Sequence, residues 1–154
     1  MYKAIVRSMI RKNVEVLNAG DYQPTLAMFA GDATLTFPGD NSWSRQFTEP
    51  GTGRESSPTH RGRVEIEAFL RRYVDAGVQM RIEDMLVNGP PWNTRVAVRA
   101  QVWIPRFDGT DLYANRVVLM VRSAWGKVRA QEDYVDTQRS AALDEALAVG
   151  LERW

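Results

Sequence analysis

Four long runs in the second half of the chain, near residues 78–88, 94–105, 111–124 and 127–136, alternate apolar and polar side chains. They are separated by Asn88-Gly89-Pro90-Pro91, Asp108-Gly109 and Gly126. Alternation with a period of two marks strands with one buried face, and short glycine-bearing connections join antiparallel neighbours. A meander of this kind commits the chain to an antiparallel sheet, and strands of about ten residues predict strong curvature.

The first half supplies what covers that sheet. Val6, Ile10, Val14 and Leu17 recur at helical spacing, which predicts an amphipathic helix over residues 3–18, ended by Asn18-Ala19-Gly20. Asp21 is placed to cap a shorter helix over residues 22–29, with Pro24 in its first turn, where the missing amide costs nothing. A short strand follows over residues 33–37, closed by Pro38-Gly39. Residues 39–61 are rich in Gly, Pro, Ser and Thr and read as one long loop of the kind that serves as a lid. This loop also holds Trp43, Phe47 and the single histidine, His60. A third helix is predicted over residues 62–75, with Ile66, Phe69, Leu70 and Tyr73 on one side, and Thr137 is placed to cap a last helix bearing Leu143, Leu147 and Leu151. The order ααβαββββ predicts a single α+β domain over residues 1–154, a cone-shaped curved antiparallel sheet covered by the N-terminal helices. Helices on one side cannot fill the whole concave face, so a pocket is expected.

Composition narrows the partners. The chain has 154 residues, and 20 basic against 19 acidic side chains give a net charge of +1, which argues against nucleic acid or an anionic membrane as the partner and for a small, uncharged or weakly charged ligand. With no cysteine and one histidine, thiolate chemistry is excluded and neither a metal site nor a cofactor is expected. The charged N-terminus does not read as a signal peptide, so a cytoplasmic location is expected.

The stretch GKVRAQEDYVDTQ, residues 126–138, puts a carboxylate in the middle of a strand. Alternation places Val128, Ala130 and Tyr134 on one face and Arg129, Gln131 and Asp133 on the other. If the second face is the concave one, burial would raise the Asp133 pKa and poise it as a proton acceptor. The alternative is a carboxylate on a solvated face.

Asp21-Tyr22, Phe29-Ala30-Gly31-Asp32-Ala33, His60-Arg61-Gly62 and the closing GKVRAQEDYVDT, taken in their order and spacing, resemble the NTF2-like superfamily and its SnoaL-like branch. The resemblance covers residues from about 3 to 148 and implies a conical α+β barrel with a deep pocket, commonly dimeric. Ketosteroid isomerases, limonene-type epoxide hydrolases, polyketide cyclases and noncatalytic proteins share that architecture, so each pattern needs testing by position. The isomerase base, an aspartate just before a proline, is replaced here by Phe37 in Leu35-Thr36-Phe37-Pro38. Of the epoxide hydrolase set, Arg99 and Asp133 match, but Gln101 stands where an acid is needed, and an amide cannot exchange that proton. The cyclases need one base and donors for an enolate, and Asp133 sits where their aspartate sits.

The resemblance thus implies cofactor-free acid–base chemistry of the cyclase or isomerase type on a small apolar carbonyl or polyketide-like compound, with a noncatalytic binding protein as the alternative. Asp133 is the candidate base and Arg99 its partner. Because Arg99, Gln101 and Trp103 share one strand face, all three are pocket candidates if Arg99 is one. A structural ion pair is the other reading of Arg99. His60, before the third helix, and Asn115, within an apolar strand, complete the ligand-binding candidates. Trp43, Trp92, Trp103, Tyr113 and Trp125 could line a cavity or fill the core. Exposed apolar side chains on the outer sheet face predict a homodimer.

Overall fold

The computed structural model describes residues 1–38 and 59–148. Its elements are α1 (Tyr2–Asn18), α2 (Gln23–Met28), β1 (Phe29–Thr36), β2 (Thr59–Arg61), α3 (Gly62–Asp75), β3 (Gln79–Asn88), β4 (Thr94–Pro105), β5 (Asp111–Ala124), β6 (Lys127–Val135) and α4 (Thr137–Ala148). The fold is α+β, as expected, and the helices and long strands begin and end close to the positions that periodicity and glycine punctuation predict. Two elements differ. β1 starts at Phe29, and β2 occupies the last residues of the expected loop over 39–61, whose remainder, with Trp43 and Phe47, lies outside the described residues.

The strand order is β2-β1-β6-β5-β4-β3, a curved sheet with free edges. All pairs are antiparallel except β1 with β6, which run parallel. The meander accounts for β3 to β6; the parallel pair arises because the last strand returns to lie beside the first.

Glycine stops α1 and α3 in the same way. Gly20 and Gly77 take φ of 94° and 68°, where a side chain would strain the backbone. The following amides, of Asp21 and Val78, reach back to the carbonyls of Val16 and Tyr73, a Schellman turn that satisfies the last turn of each helix. Asp21 Oδ1 accepts the Gln23 amide at 2.9 Å, as its position predicts. At α4 the cap is Asp136 and not Thr137: its Oδ1 accepts the amides of Gln138 and Arg139 at 3.0 and 3.3 Å. Of the leucine stripe on that helix, Leu143 is buried, while the side chain of Leu147 and all of Leu151 lie outside the described residues.

Helix α1 lies over β3, α3 over β1 and β2, and α2 joins the two helices. Leu17, Leu26, Ile66 and Leu70 from the helices meet Val98, Val102, Val117 and Leu119 from the sheet.

One irregularity sets which side chains face this core. Arg122 pairs with Ala130 but Ser123 with Val128, so Arg129 is an extra residue in β6, a β-bulge. Simple alternation put Val128 on the face opposite Gln131 and Asp133; the bulge brings all three to the concave face, with Val135. A second bulge at Glu83, between the pairs Ile82–Ala100 and Asp84–Arg99, likewise moves the inward set of β3 from Met80 to Met85 and Val87.

Candidate functional site

The concave face and the helices enclose a cavity of about 130 Å³. Its wall is mostly apolar, from Phe29, Leu35 and Phe37 of the first strand and its end, Phe69 and Leu70 of α3, and Val98, Val102, Val117 and Leu119 of the meander. Asp133 stands on this wall. Its cross-strand neighbour is Leu119, whose own partner across β4 is Val98, so the carboxylate is set in a row of aliphatic side chains. It is 8% exposed, and Gln131, two residues earlier on the same face, donates from Nε2 to Asp133 Oδ1 at 2.9 Å.

Burial pushes the Asp133 pKa up to about 7, and the Gln131 hydrogen bond offsets only part of that. The Tyr73 side chain, one turn beyond Phe69 on α3, also lines the cavity; burial raises its hydroxyl pKa, and the nearby Asp133 charge raises it further. The carboxylate can therefore take up or release a proton near neutrality, with one oxygen held by an amide and a phenol close by. The residues present supply proton transfer, an apolar bed and hydrogen-bond donors; among the described residues no cluster of His, Cys, Asp and Glu could hold a metal ion.

Arg99 does not join this group. It points to the outer face, where its side chain is 60% exposed and its Nε lies 3.4 Å from Glu83 Oε2. Arg99, Gln101 and Trp103 do share a strand face, but it is the outer one: Val96, Val98, Ala100, Val102 and Ile104 are the buried set of β4. Gln101 accepts from Arg81 and donates to Glu83, each at 2.7 Å, in a network on that outer face. Trp103 borders a separate surface groove, with Arg116 and Arg139. The charged pair expected inside the cavity is thus an exposed Arg99–Glu83 pair, and the carboxylate is instead held by Gln131.

His60 is buried at 7% exposure on β2, opposite Leu35, with its ring 5.0 Å from that of Phe69 and 6.1 Å from that of Phe37. Those two rings line the cavity and His60 lies behind them, its pKa lowered by burial. Asn115 faces inward but at the end of the sheet under α4, where its Nδ2 donates to Tyr113 Oη at 2.6 Å and to the Asp136 carbonyl at 3.0 Å. It fastens the last helix and does not line the cavity. Of the other aromatics, Trp92 and Trp125 pack together at an exposed turn with centroids 6.0 Å apart, and Tyr113 is core.

Sequence reasoning passed over Tyr73, which it read only as part of an apolar helix face, and over Gln131, whose spacing of two from Asp133 was the available signal. It also passed over Asn13 and Thr25, which line the cavity from α1 and α2. Asn13 carries a signal of its own, a polar residue inside the stripe Ile10, Val14, Leu17.

A curved sheet wrapped over helices around an apolar hollow places the chain in the NTF2-like class. Residues 10–131 match the sequence profile of the SnoaL-like domain, and the chain belongs to that family. Asp133 lies just beyond the matched stretch. An NTF2-like protein of unknown function from Burkholderia pseudomallei is 21% identical, with 89% of this chain and 95% of that chain covered at a TM-score of 0.64. TerC, crystallised with polyporic acid, is 20% identical over 90% of this chain and 96% of its own, at 0.65. A proposed ketosteroid isomerase from Kribbella flavida is 18% identical over 84% of this chain and 76% of its own, at 0.59. Such identities establish the common fold alone. No curated protein matches the chain. Among the described residues no helix is long and apolar enough to cross a membrane.

Proposed function

We propose that the protein is a cofactor-free acid–base enzyme of the cyclase or isomerase type, acting in the cytoplasm as a homodimer on a small, largely apolar carbonyl compound. One observation carries the proposal: a buried carboxylate, Asp133, stands in an apolar cavity and, among the described residues, has a single amide donor and no cationic partner. A carboxylate kept only for structure would be paired or solvated, because burying a charge without a partner is costly. Here that cost keeps the group near its midpoint at neutral pH, the condition under which a general base works best. Asp133 removes a carbon-bound proton next to the carbonyl, Gln131 fixes the carboxylate, and the Tyr73 hydroxyl donates to the enolate oxygen. Hydration of an epoxide is disfavoured, since Arg99 and Gln101 lie on the outer face.

The test uses 2-tetralone, an apolar ketone with acidic carbon-bound protons, incubated with the protein in deuterium oxide and followed by proton NMR. The protein is expected to accelerate exchange at the acidic position along an acidic limb with a midpoint near pH 7, and Asp133→Asn to reduce the acceleration by roughly 100-fold or more. Bound 2-tetralone with no accelerated exchange would overturn the enzymatic reading. It would favour a noncatalytic binding protein, which the apolar lining also supports.

A further inference from the structure

A second polar pair lines the cavity, away from Asp133. The Asn13 amide on α1 donates to Thr25 Oγ1 on α2 at 3.0 Å. That bond engages one amide hydrogen and one lone pair of the hydroxyl. The Asn13 carbonyl oxygen and the Thr25 hydroxyl proton are left as an acceptor and a donor. Both side chains are half-buried, whereas Asp133 is buried, so the pair belongs to the rim and the carboxylate to the floor.

Topology places the two in different layers of the fold. Helix α1 runs along the sheet from Tyr2, whose hydroxyl meets Thr94 Oγ1 at 2.6 Å, to Asn18, whose Nδ2 donates to the Met80 carbonyl at 2.8 Å. It lies over β3, while Asp133 is on β6, three strands away. Helix α2, which carries Thr25, touches α1, α3 and β1, so the pair lies in the helical layer and Asp133 in the sheet across the cavity from it. Between them the wall is aliphatic, with Val14, Val98, Val102 and Leu119. The Asn13 amide interrupts the apolar stripe of α1 on the side where the helix faces the cavity.

We propose that Asn13 and Thr25 form a second ligand-binding pole, and that the pocket takes a two-ended molecule: a compact one- or two-ring apolar body with a hydroxyl or carbonyl oxygen at each end. The floor oxygen meets Asp133 and Tyr73; the rim oxygen meets Thr25 as acceptor or Asn13 as donor. This rests on the reading of the cavity as a ligand site and does not need Asp133 to transfer a proton.

Calorimetric titration of the full chain with naphthalene-2,6-diol and with 2-naphthol, which lacks the second oxygen, tests it. The native protein is expected to bind the diol about tenfold more tightly than 2-naphthol, and Asn13→Leu/Thr25→Val to bring the ratio of the two affinities to about one, the loss expected of one or two hydrogen bonds. Should the double variant fail to fold, Thr25→Val alone is expected to weaken the diol roughly threefold. Equal native affinities for the two compounds, equal weakening of both in the variant, or binding of neither would overturn the proposal. Diol selectivity without 2-tetralone exchange would leave this pole standing and remove the enzymatic reading; exchange without selectivity would do the reverse.

Discussion

Asp133 costs the folded protein stability at neutral pH. Its carboxyl titrates at about 7 when folded and near 3.8 when not, so between those values the folded chain holds a proton that the unfolded chain has released. Stability from this group is full below pH 4 and falls as pH rises to 7, a total of about 4 kcal/mol from a shift of roughly three units. Asp133→Asn should therefore raise the urea midpoint at pH 8 while abolishing proton exchange, and leave stability at pH 4 nearly unchanged. His60 acts with the opposite sign. Its pKa is lowered from 6.5, chiefly by burial, with Glu65 opposing and Arg72 assisting, so the unfolded chain takes up the proton first and stability is lost as pH falls below 6.5. The two slopes oppose each other as pH falls below 6.5 in the native chain. Removing Asp133 exposes the second slope, and Asp133→Asn should lose stability on acidification more steeply than Asp133→Asn/His60→Phe. Equal acid slopes in the two would assign that sensitivity to other groups.

Among the elements, the bulge in β6 decides whether a site exists. Without the extra residue Arg129, either Val128 or the pair Gln131 and Asp133 would turn outward. Deleting Arg129 should cost several kcal/mol or abolish cooperative unfolding, whereas Arg129→Ala, which keeps the residue count and breaks an exposed contact with Asp32, should cost less than about 1 kcal/mol. Urea unfolding separates the two outcomes. The bulge also marks the limit of what could be read from the chain. Strand ends were legible because Gly89, Gly109 and Gly126 punctuate them, and Asp133 was legible as a mid-strand acid. Bulges are properties of pairing, so alternation within one strand could not reveal them. The three residues of β2 carry no period long enough to be seen. The outward face of Arg99 was legible in principle, since Val96, Val98, Ala100, Val102 and Ile104 form an unbroken apolar set; likeness to the epoxide hydrolase pattern outweighed it. Tyr73 was hidden for another reason: a tyrosine in an apolar helical stripe looks the same whether its hydroxyl meets a cavity or a packed core.

For the whole molecule, the outer sheet face carries Leu86, Val118, Met120 and Tyr134 exposed, more apolar surface than a solvated sheet face ordinarily presents. We propose that a second copy of the chain covers it. Sedimentation equilibrium at micromolar concentration should give a dimer, and Met120→Glu should give a monomer that still binds 2-naphthol; a monomeric native chain would remove the proposal. The parallel pairing of β1 with β6 bears on how such a chain is made. In the strand order, β1 and β2 join the rest of the sheet only through β6, which is the last strand to be synthesised. On the ribosome β1, β2 and the helix α3 that lies over them must therefore wait until residue 135 has emerged, whereas α1 has β3 to cover earlier. Contacts between Phe29 and Val128, or Leu35 and Gln131, close loops of nearly a hundred residues, and loops of that length make folding slow. The strand that carries Asp133 is thus also the clasp of the fold, so a chain cut short before it would lose the join between the two parts of the sheet along with the acid.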